Sequence, residues 1–149
     1  KNIFIKRKRV EIIMSTNAAD HYRQQQILNA SPAERVVLLY DGAIRFMMIT
    51  KMAITEKDIQ KRFDNSVKAR NIISHLQETL DMEKGGEIAQ NLDNIYNYLL
   101  KQFPEIDKNN LEAVEEIMKH LKILRESWAK IAMGEKQGAK DQSKDNIMA

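Results

Sequence analysis

This sequence predicts an all-α fold, an antiparallel four-helix bundle with a flexible N-terminal arm and a disordered C-terminal tail. Three observations carry that expectation. The 149 residues include only Gly 5 and Pro 2, which is little turn material for a sheet protein. Apolar residues recur at spacings of three and four along four stretches of about 20 to 25 residues, the period of an amphipathic helix. Short connections join those stretches, which makes sequential helices antiparallel neighbours. With 43% hydrophobic residues, a chain of this length can bury a sizeable core in one unit.

The elements follow in order. Residues 1–13, KNIFIKRKRVEII, hold Lys1, Lys6, Arg7, Lys8 and Arg9 against Glu11, a balance of +4, so the net charge of +3 leaves −1 for the rest of the chain. A signal peptide needs about 7 to 15 apolar residues after its charges, which this segment lacks. A basic arm and an upstream translation preceding a start at Met14 remain, and the second is the expectation. Residues 14–30 read as an arm whose large apolar side chains are Tyr22, Ile27 and Leu28.

The bundle is expected over residues 31–133. Ser31-Pro32-Ala33-Glu34 is a capping-box pattern with proline at the first helical position, where no N–H is missed. The first helix then runs to about Thr55. A second periodic segment starts near Asp58, follows Ile59, Phe63, Val67, Ile73, Leu76 and Leu80, and is expected to stop at Gly85-Gly86. The third carries Ile88, Leu92, Ile95, Leu99 and Phe103, with Pro104 ending or kinking it. A fourth, capped by Asn110, places Val114, Ile117, Met118, Leu121, Leu124, Trp128 and Ile131 on one side, with Trp128 as a core anchor. From Gly134 to Ala149 the chain is polar and aromatic-free, which predicts disorder.

The first helix is too apolar for one buried face. At about 100° per residue its main stripe is Val36, Val37, Tyr40, Ala43, Ile44, Met47 and Met48. Leu39 and Phe46 widen that stripe to roughly 200°, and Leu38 and Ile49 lie on the far side. On the second helix, Ile72 and Leu76 sit to one side of the line through Ile59, Phe63 and Ile73. Apolar edges on two helices mark a groove for a partner helix or for the protein's own arm.

Chemistry-bearing patterns are sparse. Cys 0 removes disulfides and thiolate chemistry. The paired Glu-x-x-His of di-metal bundles does not occur, and Glu116 with His120 is an ordinary helical pair beside the isolated His21 and His75. No phosphate loop or nucleophile elbow appears, so no catalytic residue, metal or cofactor is expected. Asp41-Gly42 reads as a close-packing glycine beside a solvated carboxylate. The positive charges on the second helix, Lys57, Lys61, Arg62, Lys68 and Arg70, are interrupted by Asp58 and Asp64, so nucleic-acid binding is not expected. No run approaches the roughly 18 apolar residues of a span, so neither is membrane insertion.

Several motifs together carry a family resemblance. They are Tyr22 and Ile27 ahead of Ala30-Ser31-Pro32, then Leu39-Tyr40-Asp41-Gly42, Gly85-Gly86-Glu87-Ile88, Tyr96-Asn97-Tyr98 and Trp128. Over about Ala19 to Ala132 the chain resembles the FliS family, the flagellar secretion chaperones for flagellin. Asn29, Asn97 and Pro104 depart from the family pattern. The resemblance implies a bacterial cytoplasmic protein that binds the disordered C-terminal segment of flagellin, prevents its premature polymerisation and hands it to the membrane-embedded export gate. It further implies that the tyrosine matched by Tyr22 covers the groove and docks at the gate. The expected partner-binding set is thus Tyr22, Ile27, Leu39, Phe46, Ile72 and Leu76. A self-associating structural bundle, pairing as a weak homodimer through its exposed edges, is the alternative.

Overall fold

The structure, a computed structural model, describes residues 20–148, so the expectation of an upstream leader at residues 1–13 lies outside the described residues. Among the described residues the chain is all-α: α1 Asp20–Asn29, α2 Pro32–Glu56, α3 Ile59–Glu78, α4 Met82–Leu100, the short α5 Phe103–Ile106, and α6 Leu111–Met148. Helices α2, α3, α4 and α6 are the four of the antiparallel bundle. Two differences from the sequence expectation concern the ends. Part of the arm is itself the helix α1, and α6 is helical to Met148 through residues for which composition predicts disorder. That segment is polar, yet it contains no proline and is rich in Ala, Lys, Gln and Glu, which are strong helix formers.

Local chemistry sets each boundary. The Ser31 N–H donates to Glu34 Oε1 at 3.3 Å and the Glu34 N–H donates to Ser31 Oγ at 3.2 Å, the reciprocal capping box that the sequence predicts. The end of α2 is a Schellman turn, with Lys57 N–H donating to Ile54 and Asp58 N–H to Ala53. Lys57 occupies the left-handed position at φ 59°, where glycine is usual. Asp58 then caps α3 by accepting from the Lys61 N–H at 3.0 Å. Asn110 accepts from the Glu112 and Ala113 N–H groups and caps α6.

The glycine pair does not stop the second helix. α3 ends at Glu78, and Asp81 opens α4 by accepting from the Glu83 and Lys84 N–H groups. Gly86 then kinks α4 internally with φ 50°, ψ −124°, a conformation open in practice only to glycine. Pro104 lies in the first turn of α5, where its missing N–H costs nothing, and α5 buries Phe103 and Ile106.

The described chain divides into two units: residues to Leu39 together with those from Ile123, and Tyr40–Lys122. Helices α2 and α6 contribute to both. In the unit Tyr40–Lys122, α3 packs on α4 and α5. Its core comprises Tyr40, Met47, Ile72, Ile73, Tyr96, Leu99, Ile106, Val114, Ile117 and Leu121, each at most 1% exposed. Burying one such side chain stabilises by about 1.5 to 3 kcal/mol. At the centre of this core the Tyr40 and Tyr96 hydroxyls hydrogen-bond to each other, so neither buries an unpaired O–H.

The other unit is held by a small apolar set, including Ile27, Ala33, Leu39 and Ala132, and by the Lys136–Glu34 ion pair at 3.1 Å. The Lys136 ammonium, followed by the Ser31 N–H, holds the Glu34 carboxyl below its ordinary range. That ion pair gives residues beyond Gly134 a tertiary contact.

Two apolar lines are placed differently from expectation. Ile59 and Phe63 are exposed, because α3 presents the face of Ser66, Ala69, Ile72, Ile73 and Leu76 to the core, and its small residues permit close approach. Trp128 is half-buried instead of a core anchor, and Ile131 is 48% exposed, because the dense core of α6 ends at Leu121.

Candidate binding edge

Helix α2 has an apolar arc wider than one face, and the structure shows how its two margins differ. On one margin Phe46 is only 3% exposed. The Arg45 guanidinium carbon lies 5.0 Å from its ring centroid and the Lys68 ammonium 5.4 Å, within cation–π range. Lys68 belongs to α3, and Ile72 and Leu76 follow it at intervals of four, so these three residues form one line on α3. Lys68 reaches the Phe46 ring, which places Lys68 and Phe46 at the α2–α3 seam. Ile72 and Leu76 are 0% and 4% exposed. Among the described residues Arg45 and Lys68 have no carboxylate partner, so the seam carries an apolar interior under a positive rim.

Phe46, Ile72 and Leu76 all belong to the unit Tyr40–Lys122. The other three expected residues belong to the second unit. There Ile27 and Leu39 are buried, and Tyr22 is 71% exposed on the first turns of α1. Leu38 and Ile49, on the far side of α2, are half-buried.

Opposite Phe46 on α2 the margin is uncovered. Met48 and Met52 are more than half exposed beside Lys51, which pairs with Glu115 of α6. The helical period places Met48 in the core stripe, with Met52 outside it. The missed signal was that Met48, Met52 and Thr55 form a second helical line, separate from that of Tyr40, Ala43 and Met47. The Tyr40–Tyr96 pair was also missed as a pair, although each tyrosine lies in a motif that the sequence displays.

Candidate chemistry is confined to ordinary pairings. His120 contacts Glu116 at 2.7 Å and meets the Tyr98 ring edge-on at 5.5 Å. Among the described residues no cluster of three or more His, Asp or Glu could hold a metal, and no helix is long and apolar enough to cross a membrane.

The fold defines an all-α helical bundle. Comparison with known proteins supplies the family. The family model described as flagellar protein FliS matches residues 15–135. The chain is 32% identical over 111 residues to the flagellar secretion chaperone FliS of Salmonella typhimurium, covering 73% of this chain and 82% of that protein. It is 32% identical over 120 residues to the Campylobacter jejuni FliS, covering 79% and 94%. Against the Bacillus subtilis FliS it is 26% identical over 117 residues, covering 78% and 86%. The chain belongs to the FliS family of flagellar secretion chaperones.

Proposed function

We propose that this protein is a cytoplasmic export chaperone that binds the disordered C-terminal segment of flagellin, prevents its premature polymerisation and delivers it to the flagellar export gate. The observation that carries the reading is the match of residues 15–135 to the FliS family, whose relatives are flagellar secretion chaperones. Phe46, Ile72 and Leu76 are at most 4% exposed, so a client reaches them only when the bundle opens along the α2–α3 seam. An apolar line shared by two helices fits the apolar face of an amphipathic client segment. Flagellin's terminal segments would otherwise pair with one another as coiled helices, and occupying their apolar faces withdraws them from that equilibrium. The mechanism is occupancy, with no bond made or broken. A disordered client loses conformational entropy on binding, which keeps affinity moderate and permits release at the gate.

We assign contact with a gate component to Tyr22, and its 71% exposure on α1 supports that role. Ile27 and Leu39 are buried at rest, so they contact a client only when α1 leaves its place. Calorimetric titration with a peptide from the C-terminal end of the host's flagellin tests this reading. One-to-one binding, weakened at least tenfold by Phe46→Asp or Leu76→Asp in variants that remain helical, is expected, because a charge would then face apolar partner residues without a partner. Absence of binding by the unaltered protein would refute it.

A further inference from the structure

Two adjacent residues of α2 hold the corner between α1 and α2. The Arg35 guanidinium donates to the Ala30 carbonyl at 2.8 Å. The Glu34 carboxylate uses both of its oxygens. Oε1 accepts from the Ser31 N–H at 3.3 Å, which fixes the direction in which the chain enters α2 from α1, and Oε2 lies 3.1 Å from the Lys136 ammonium of α6. Lys136 stands one turn beyond the buried Ala132, so one face of α6 carries both a small apolar contact and the charge. All of these residues belong to the same unit.

Helix α1 is itself weakly held. Among its described side chains Ile27 alone is buried, while Tyr22 and Leu28 are exposed. A helix of 10 residues is marginal in isolation, and one aliphatic anchor adds little to it. Such a segment opens at a small fraction of the free energy needed to unfold the bundle, so one ion pair at its corner is large enough to bias the opening. The geometry points to α6 as a latch on the arm: the Lys136 ammonium, acting through Glu34, holds the α1–α2 corner closed, and loss of that pair lets α1 undock and expose Ile27. The latch responds to ionic strength, because the two side chains are 62% and 31% exposed. It is a property of the free protein and is read without a client, so it stands or falls independently of flagellin binding.

Hydrogen–deuterium exchange of the full chain, followed by mass spectrometry of peptides covering residues 24–30, reads the opening of α1. At low salt Lys136→Gln should speed exchange there about threefold, within the roughly fivefold reach of an exposed ion pair. Glu34→Gln keeps a side chain that can close the capping box and should have the same effect. The double variant should exchange no faster than either single one, because both changes remove one interaction. Peptides from residues 72–76 and 114–121 should be unaffected, which separates release of the arm from general loosening. At about 0.5 M salt, where the Debye length is about 4 Å, the difference between Lys136→Gln and the unaltered protein should narrow. Lys130→Gln removes an exposed charge six residues earlier on α6 and should leave α1 unchanged. Exchange in α1 that ignores Lys136→Gln, additive effects in the double variant, or an undiminished difference at high salt would overturn the latch. An equal effect of Lys130→Gln, or acceleration throughout the core, would overturn it as well.

Discussion

Replacing Tyr96 by phenylalanine tests the centre of the bundle. Tyr96 is 1% exposed and its hydroxyl bonds to that of Tyr40, itself 0% exposed. The substitution leaves the ring packing in place and removes one buried hydrogen bond between neutral groups. Tyr40 also makes a further interaction of its own. The loss at pH 7 should therefore be about 1 kcal/mol, the net worth of such a bond, and not the larger cost of an unpaired buried hydroxyl. Burial pushes the Tyr96 pKa above its ordinary value of 10.0, with the Tyr40 hydrogen bond opposing in part. The folded state thus holds this proton more tightly than the unfolded chain does. The resulting stability is complete below about pH 10 and is lost as pH rises through the raised value. Urea unfolding of both proteins at pH 7 and near pH 11 measures this directly. The advantage of the unaltered protein should narrow at the higher pH. A difference below 0.3 kcal/mol at pH 7, or one that is unchanged near pH 11, would refute the account of the pair.

Ser31→Ala should cost about 1 kcal/mol by urea unfolding, the usual value of a lost N-cap. Glu34 has a lowered folded pKa, so its contribution is present above about pH 4.5 and lost as pH falls through the folded value; Glu34→Gln should remove that acid dependence. Lys57→Gly should stabilise by about 0.5 to 1 kcal/mol, because glycine relieves the left-handed strain at φ 59° at some cost in unfolded-chain entropy. Trp128→Ala should cost less than the roughly 3 to 5 kcal/mol typical of a fully buried tryptophan, since the side chain is half-buried, and thermal unfolding measures the difference.

Boundaries that depend on local chemistry were legible in the sequence. The Ser31–Glu34 box, the Asp58 and Asn110 caps and the helix break around Pro104 all follow from neighbouring residues, and each lies where its motif stands. Gly85-Gly86 misled because a glycine pair signals a break without saying whether a helical turn precedes it; Asp81 supplies that turn. Faces were harder to assign than elements. Periodicity weighted towards large residues drew the α3 core line through Ile59 and Phe63, whereas the packed face is built on Ser66 and Ala69, whose small size permits close approach. Phe46, Ile72 and Leu76 lie off the main stripes in the sequence pattern, yet tertiary packing buries all three. Their cationic rim was invisible beforehand, because Arg45 and Lys68 belong to different helices. The helical continuation to Met148 was missed because composition registers polarity, and the Lys136–Glu34 pair joins residues about a hundred positions apart.

The central claim is that a flagellin segment occupies the α2–α3 seam. Methyl resonances of the full-length protein, labelled at isoleucine and leucine and titrated with the C-terminal peptide of the host's flagellin, test it most directly. Shifts at Ile72 and Leu76 should saturate at one equivalent, with Ile88, 72% exposed on α4, serving as a reporter away from the seam. Saturable binding that moves Ile88 and leaves Ile72 and Leu76 unchanged would contradict the account.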